Sequence, residues 1–382
     1  MKKILIPYGR QFINSEDYKS VKLSLKQNLI TTGNLVQKFE TELRKYVNAK
    51  FVLSCSSGTA ALHLAIKSIN LKKGDSVILP VINFVAASNI LNEYGIKIYF
   101  ADVDPITGQI TPEKILNCIK KNKIKKLKAF FTMYLGGMPY LIEEFYKLKK
   151  KLNILMIEDA CHALGSLYKF KKKLFKVGSC IHSDICLFSL HPLKSITTGE
   201  GGVFTTNNKK FYEKAKLFRS HGIKRSKKHW HYDVTNYGLN YRLSDINCAL
   251  GISQLRKLNV FLKKRKKLSK NYLKYIANMK EISVVDKYST LSSWHLFRIN
   301  INFDKIKISK RNFIEKFLQK GIIVQQHYIP LYKFSVYKNI GKNYSGAEKF
   351  FNSTVSLPIY YSLTNKEQLY VIKTLNEILR IK

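Results

Sequence analysis

The stretch FVLSCSSGTAALHLAIKSINLKKGDSVILPVINFVAASNILNEYGIKIYFA, residues 51–101, decides the fold. Three short apolar runs stand in it, Phe51–Ser54, Val77–Leu79 and Ile98–Ala101, each of strand length. Thr59–Ser68 and Val85–Tyr94 separate them and read as helices. Strand, helix, strand, helix, strand is the pattern of βα units, which build a mostly parallel sheet covered by helices on both faces. Working outward, the alternation continues. Pro112–Lys121 reads as a helix, Ala129–Met133 as a strand, Tyr140–Lys151 as a helix and Ile154–Ile157 as a strand. Ile185–Ser189 and Val203–Thr206 extend the sheet.

After about Asp245 the character changes. Ser244 to about Tyr275 is one long Lys-rich helix with Ile246, Leu250, Leu255, Leu258 and Leu262 at helical spacing. Strands at Leu296–Ile301 and Ile322–Gln325 flank a helix, Lys310–Lys320, and Asn365–Ile381 reads as a final amphipathic helix. A chain of 382 residues exceeds one small domain. The expectation is a large α/β domain, residues 1–245, followed by a smaller α+β domain, residues 246–382.

Composition narrows the class. An apolar share of 45% supports a substantial core, and no run of eighteen apolar residues argues for a membrane span. The opening MKKILIPYGRQ has two lysines but neither a long apolar stretch nor a small-residue cleavage site, so a cytoplasmic protein is expected. The formal net charge is +42, yet only ten of the 67 basic residues are Arg and the lysines spread over the whole chain. Nucleic-acid readers concentrate charge on one element, so no nucleic-acid partner is expected, although the charge would help attract an anionic substrate. Six cysteines form no CxxC pair; Cys180, His182 and Cys186 lie close together, but no second pair completes a zinc site. No metal is expected.

Three segments fall where loops leave the C-terminal ends of strands, the place for ligands in an open α/β sheet. In Ser54–Leu62, SCSSGTAAL, a strand ends in hydroxyl residues and Gly58 before a helix begins; free N–H groups there suit a phosphate, though any capped turn looks similar. In ILMIEDACH, residues 154–162, two carboxylates end a buried strand. A carboxylate there needs a cationic or proton-donating partner, and a protonated pyridine nitrogen is one. Asp159 as a helix cap and His162 as a packing residue is the plain alternative. In FSLHPLKSITTGEGG, residues 188–202, Lys194 leaves a strand through Pro192 and precedes three glycines. A lysine forms a Schiff base only as the neutral amine, which a desolvated pocket favours; a surface lysine is the alternative.

SSGTAALHLAI (56–66), INFVAASN (82–89), IEDACHALGS (157–166), FSLHPLKSITTGEGGVFTTN (188–207), FRSHGI (218–223), GLNYRLSDINCALGISQL (238–255) and SLPIY (356–360) together resemble the sugar-nucleotide aminotransferases of the DegT/DnrJ/StrS group. That group belongs to the fold-type I pyridoxal-phosphate enzymes. The resemblance implies a mixed, mostly parallel sheet between helices, with pyridoxal 5'-phosphate as cofactor. It implies that Lys194 holds the cofactor as a Schiff base and moves protons, while Asp159 keeps the pyridine nitrogen protonated. His162 would lie beside the ring, Phe84 would stack on its face, and Gly58, Thr59 and Ser189 would contact the phosphate. Asn240 would reach the phosphate from a neighbouring subunit, implying a homodimer with shared sites.

PYGRQ (7–11), NLITTG (28–33) and QHYIPLY (326–332) resemble the members that act in pseudaminic-acid synthesis. For the sugar nucleotide this points to Tyr8, Asn28, Leu29, Ile30, Thr31, Arg242, Gln326, His327, Tyr328 and Ile329; Tyr8 and Tyr328 read equally as core aromatics. The implied reaction moves the amino group of L-glutamate to C4 of a UDP-linked 4-keto-6-deoxy-N-acetylhexosamine, giving UDP-4-amino-4,6-dideoxy-N-acetyl-β-L-altrosamine. The alternative is C4 amination of another nucleotide keto-sugar, of legionaminic-acid or bacillosamine type.

Overall fold

The computed structural model describes residues 5–226, 230–286, 289–341 and 343–380. Residues 1–4 of the opening segment and Ile381 of the expected last helix lie outside them. A seven-stranded sheet organises the chain. Its strands are β1 (Phe51–Cys55), β2 (Ser76–Pro80), β3 (Lys97–Ala101), β4 (Leu127–Met133), β5 (Leu155–Asp159), β8 (Ile185–Ser189) and β9 (Gly202–Thr206), with a hairpin of β6 (Leu167–Phe170) and β7 (Lys173–Lys176) projecting between β5 and β8. The spatial order is β1-β9-β8-β5-β4-β2-β3. Neighbours from β3 through β8 are parallel, and β9 runs antiparallel to both β8 and β1. Every residue of β2 and the last five of β4 are buried, as central strands covered on both faces must be.

Helices α3 (Gly58–Ser68), α4 (Ala86–Glu93), α5 (Pro112–Asn122), α6 (Ile142–Leu152) and α7 (Lys209–Arg219) cover the sheet, and α1 (Ser15–Ser24) and α2 (Asn34–Val47) precede it. Ser57 caps α3, its hydroxyl accepting the Ala60 N–H at 3.0 Å, a contact of about 1 kcal/mol. Two short strands, β10 (Ile223–Arg225) and β11 (Tyr232–Val234), form an exposed antiparallel ribbon.

The long helix α8 (Asp245–Ile276) is capped by Ser244 and joins two cores. Leu255, Leu258 and Leu262 pack with Phe39 of α2, whereas Leu268, Tyr272 and Ile276 pack with Trp294, Phe297 and Phe313. The second core surrounds a three-stranded antiparallel sheet of β12 (Ile282–Val284), β13 (Phe297–Ile301) and β14 (Thr354–Leu357). Helices α9 (Phe303–Ile306), α10 (Lys310–Gln319), α11 (Ser345–Ser353) and α12 (Asn365–Arg380) complete this part.

One expected strand is corrected. Residues 322–325 form no strand but two isolated bridges, Ile322 to Ile6 and Gln325 to Ser356. Each end pairs with a different segment, so no ladder develops despite the apolar run. The Cys180–Cys186 cluster is absorbed by packing: the Cys180 thiol meets the Gly178 and Thr205 carbonyls, and His182 bonds Glu158.

Candidate active site

The ends of β1, β2, β4, β5 and β8 open into a cavity of about 660 Å³. Its lining includes Ser57, Gly58, Thr59, Asn83, Phe84, Met133, Asp159, His162, Ser189 and Lys194.

Lys194 sits on a fixed loop. Its own N–H donates to the His191 carbonyl at 2.9 Å, Leu190 N–H to Gly201 at 2.8 Å, and the Asn247 amide to Thr198 at 2.6 Å. Burial pulls the Lys194 ammonium below the usual lysine range, and the nearby Cys161 and Asp159 only partly offset this. Asp159, at the end of β5, is 3% exposed. Burial raises its carboxyl, and the Cys161 N–H at 3.1 Å and Lys194 do not cancel the effect. Among the described residues no cation pairs with it. A buried carboxylate facing a cavity without such a partner leaves room for a cationic ligand group.

The opposite end is bare backbone. A Cβ on Gly58 would lie 2.9 Å from the Ser189 Cβ, and one on Gly202 would lie 2.1 Å from the Ser57 carbonyl oxygen. Glycine at both positions lets β9, the end of β8 and the first turn of α3 close together. Gly58 and Thr59 at the start of α3 line this corner of the cavity together with Ser189, and a helix N-terminus favours an anion there.

Behind Lys194 lies a group of imidazoles. His162 Nδ1 accepts the Gly136 N–H at 3.4 Å, which leaves Nε2 to donate to the Tyr328 hydroxyl at 2.9 Å. Burial and then Lys194 hold the His162 imidazole well below its ordinary range, so it is neutral. Tyr8 packs on His327 with ring centroids 5.4 Å apart, and Phe84, more than half exposed, lies 5.9 Å from Tyr328.

The residues singled out in sequence divide into two sets. Gly58, Thr59, Phe84, Asp159, His162, Ser189, Lys194, Tyr8, Gln326, His327, Tyr328 and Ile329 all line this cavity. Asn28, Leu29, Ile30, Thr31, Asn240 and Arg242 do not. The 28–31 segment is exposed and held at the start of α8, where the Asp245 N–H donates to Ile30. Asn240 is exposed and bridges Ser220. Sequence reasoning missed Asn83, Cys161, His295 and Gln325, which also line the cavity. Of these only Asn83 and Cys161 sit in segments singled out beforehand.

A buried amine on the loop after β8, a buried carboxylate at the end of β5 and a helix start on the same cavity are features of an α/β enzyme that takes a phosphorylated cofactor or substrate. The chain belongs to the DegT/DnrJ/EryC1/StrS aminotransferase family, whose pattern matches residues 11–376. It is 37% identical over 378 residues to a UDP-4-amino-4,6-dideoxy-N-acetyl-beta-L-altrosamine transaminase of Campylobacter jejuni, covering 98% of each chain. Helicobacter pylori PseC, an aminotransferase involved in the biosynthesis of pseudoaminic acid, superposes with a TM-score of 0.91 at 29% identity, over 98% of this chain and 99% of that one. A sugar aminotransferase of Streptococcus pneumoniae in its PLP-form gives 0.89 at 26% identity, over 98% of each chain.

Proposed function

We propose that this aminotransferase uses pyridoxal 5'-phosphate to move the amino group of L-glutamate to C4 of a UDP-linked 4-keto-6-deoxy-N-acetylhexosamine. The product would be UDP-4-amino-4,6-dideoxy-N-acetyl-β-L-altrosamine, in pseudaminic acid synthesis. The observation that carries the reading is the placement of the buried Lys194 amine and the buried Asp159 carboxyl on the lining of one cavity. The substrate rests on the likeness to the Campylobacter transaminase along nearly its whole length.

The residues present fit that cofactor. Its phosphate would take the anion corner of Gly58, Thr59 and Ser189, its ring would lie against Phe84 and His162, and Asp159 would meet the ring nitrogen. When bound, the cofactor supplies an electron sink for negative charge at the reacting carbon. Lys194 would carry it through Nζ, an amine that burial keeps available for bonding, and would then move the proton at the reacting carbon. Asp159 would hold the ring-nitrogen proton. His162 would orient the Tyr328 hydroxyl, which accepts from Nε2 and keeps its own proton to donate. Gln326, His327, Tyr328, Ile329 and Tyr8 would form the sugar side of the cavity.

The chain is proposed to work as a cytoplasmic homodimer. No helix among the described residues is long and apolar enough to cross a membrane. The exposed ribbon of β10 and β11, with Tyr232 and Val234 open to solvent, offers an apolar face for a second copy. Asn240, Arg242 and residues 28–31 would then complete the neighbour's site. A light-scattering mass of one chain would reject this. A division into units 1–245 and 246–382 belongs to the same proposal, supported by the separate core around β13. Limited proteolysis that cuts first elsewhere would count against it.

The substrate is tested by comparing turnover on the UDP-4-keto-sugar epimers with L-glutamate as donor. Preference by at least about tenfold for the epimer leading to the altrosamine is expected. Preference for the other epimer would assign the chain to legionaminic-acid or bacillosamine chemistry instead.

A further inference from the structure

We propose that His295 is a binding residue for the amino donor, its Nε2–H donating to a carboxylate of the dicarboxylate that reacts at Lys194. This inference rests on the aminotransferase reading above and adds to it the recognition of the first substrate.

His295 lines the cavity yet is only 6% exposed. Its Nδ1 is buried with no hydrogen-bond partner among the described residues, and Nε2 has none there either. Orphaned buried donors are rarer than orphaned acceptors, so the enclosed Nδ1 carries the lone pair and Nε2 the proton. The ring stacks on His162 at 4.2 Å between centroids, with the planes inclined by 36°. Burial holds His295 well below the ordinary histidine range, and Lys194 is the first charge acting in the same direction, followed by Arg265 and His327. The imidazole is therefore a neutral donor beside the reacting lysine.

The backbone is built to hold it there. Trp294, the preceding residue, takes a φ of 51°, the left-handed region that a bulky side chain avoids. Such an outlier persists only where its surroundings fix it. Arg265 of α8 donates to the carbonyls of Trp294 at 3.3 Å, His295 at 3.2 Å and Ile359 at 2.9 Å. Ser293 Oγ donates to the His162 carbonyl at 2.9 Å, and Ser292 Oγ to Gly137 at 3.1 Å. The bracket thus ties His295 to the segment that carries His162.

The protomer's arginines near this cluster are committed elsewhere. Arg265 is spent on those carbonyls, and Arg298 is paired with Asp286 at 2.8 Å and with the Thr107 carbonyl at 2.6 Å. Among the described residues of one protomer, no arginine lines the cavity. A donor whose reacting carbon sits at Lys194 carries its α-carboxylate one bond away, in the cavity that His295 also lines. A neutral N–H with no protein partner gains more from an anion than from a hydroxyl, since bonds to charged groups are about twice as strong.

The test uses glutarate, a dicarboxylate that cannot react, and UDP as the control, titrated into cofactor-loaded enzyme by calorimetry. His295→Phe keeps a flat ring on His162 and removes the donor; glutarate affinity is expected to fall about tenfold or more, with UDP affinity within about twofold. His295→Gln retains an N–H and should recover most of the loss. Unchanged glutarate affinity in His295→Phe, or equal losses for glutarate and UDP, overturns the proposal. Should both variants fail to fold, the imidazole nitrogen resonances of the unaltered protein decide: that of His295 shifts with glutarate, or the proposal fails. The aminotransferase reading is checked separately, because the unaltered enzyme must change colour with L-glutamate whatever His295 does.

Discussion

Glu158 and Asp159 are adjacent carboxylates at the end of β5, both buried, and they face opposite sides of the sheet. Glu158 is surrounded by donors: His182 at 2.6 Å, Ser183 at 2.7 Å and the Tyr134 hydroxyl. Burial alone would raise its carboxyl, but His182 and these hydrogen bonds outweigh it and hold the group below the usual range. Asp159 has the Cys161 N–H and the influence of Lys194, and burial wins. Two adjacent strand residues thus differ in how far their surroundings compensate a charge, Glu158 fully and Asp159 only in part. The fully compensated group suits a structural role, while the one that faces the cavity suits the ligand role proposed for it.

Lys194→Ala should lower transamination by at least about 10³-fold, measured as amino transfer to the keto-sugar, with the thermal midpoint little changed. Full turnover in that variant would remove Lys194 from the reaction. Next, Asp159→Asn should lose about 10²-fold in kcat while cofactor still binds, because the amide cannot hold the ring-nitrogen proton as charge develops. Its unfolding midpoint should stay level or rise, since the neutral amide is easier to bury. A variant with normal kcat and reduced stability would exchange the roles assigned to the two carboxylates.

Glu158→Gln should do the reverse. Stability is expected to fall by about 2 kcal/mol in denaturant titrations, with kcat per folded enzyme within about threefold. The pH dependence separates the two more finely. Glu158, with its folded value depressed, contributes stability that is complete above 4.5 and lost as pH falls through the lower folded value. Asp159, with its folded value raised, costs stability once ionised, and that cost disappears below 3.8. Unfolding measured downward from neutral pH should therefore lose a smaller acid-induced decrement in Glu158→Gln than in the unaltered protein. Asp159→Asn should gain at neutral pH and show no such flattening.

How much of this was legible depended on where each signal lived. Ile185–Ser189 is a strand residue for residue as read, because its first four residues are apolar and buried and the polar Ser189 bounds the run. Helix α8, read as Ser244 to about Tyr275, runs from Asp245 to Ile276 with Ser244 as its cap, because its apolar residues recur at helical spacing over its whole length. Helix α1 escaped reading: its buried residues are Asp17 and Ser24, and Asp17 is held by Lys257 at 2.5 Å, a contact from far along the chain. Helix α2 buries only the narrow stripe Phe39, Leu43 and Val47 among polar residues. In the site, Asp159 stands at a strand end, where a ligand is expected in an open α/β sheet, whereas Lys194 lies on the loop after β8 and was singled out by the family resemblance of residues 188–207. His295 had no such flag. Its position comes from a bracket of Ser292, Ser293 and Arg265 that only the folded chain assembles.

The chain holds Lys194 among many other lysines, and the account requires that this one alone carries the cofactor. Cofactor-loaded protein treated with borohydride, digested and mapped by mass spectrometry tests that directly. The cofactor's added mass should appear on the peptide containing Lys194 at close to one per chain. Attachment at another lysine, or spread over several, would contradict the assignment of this cavity as the active site.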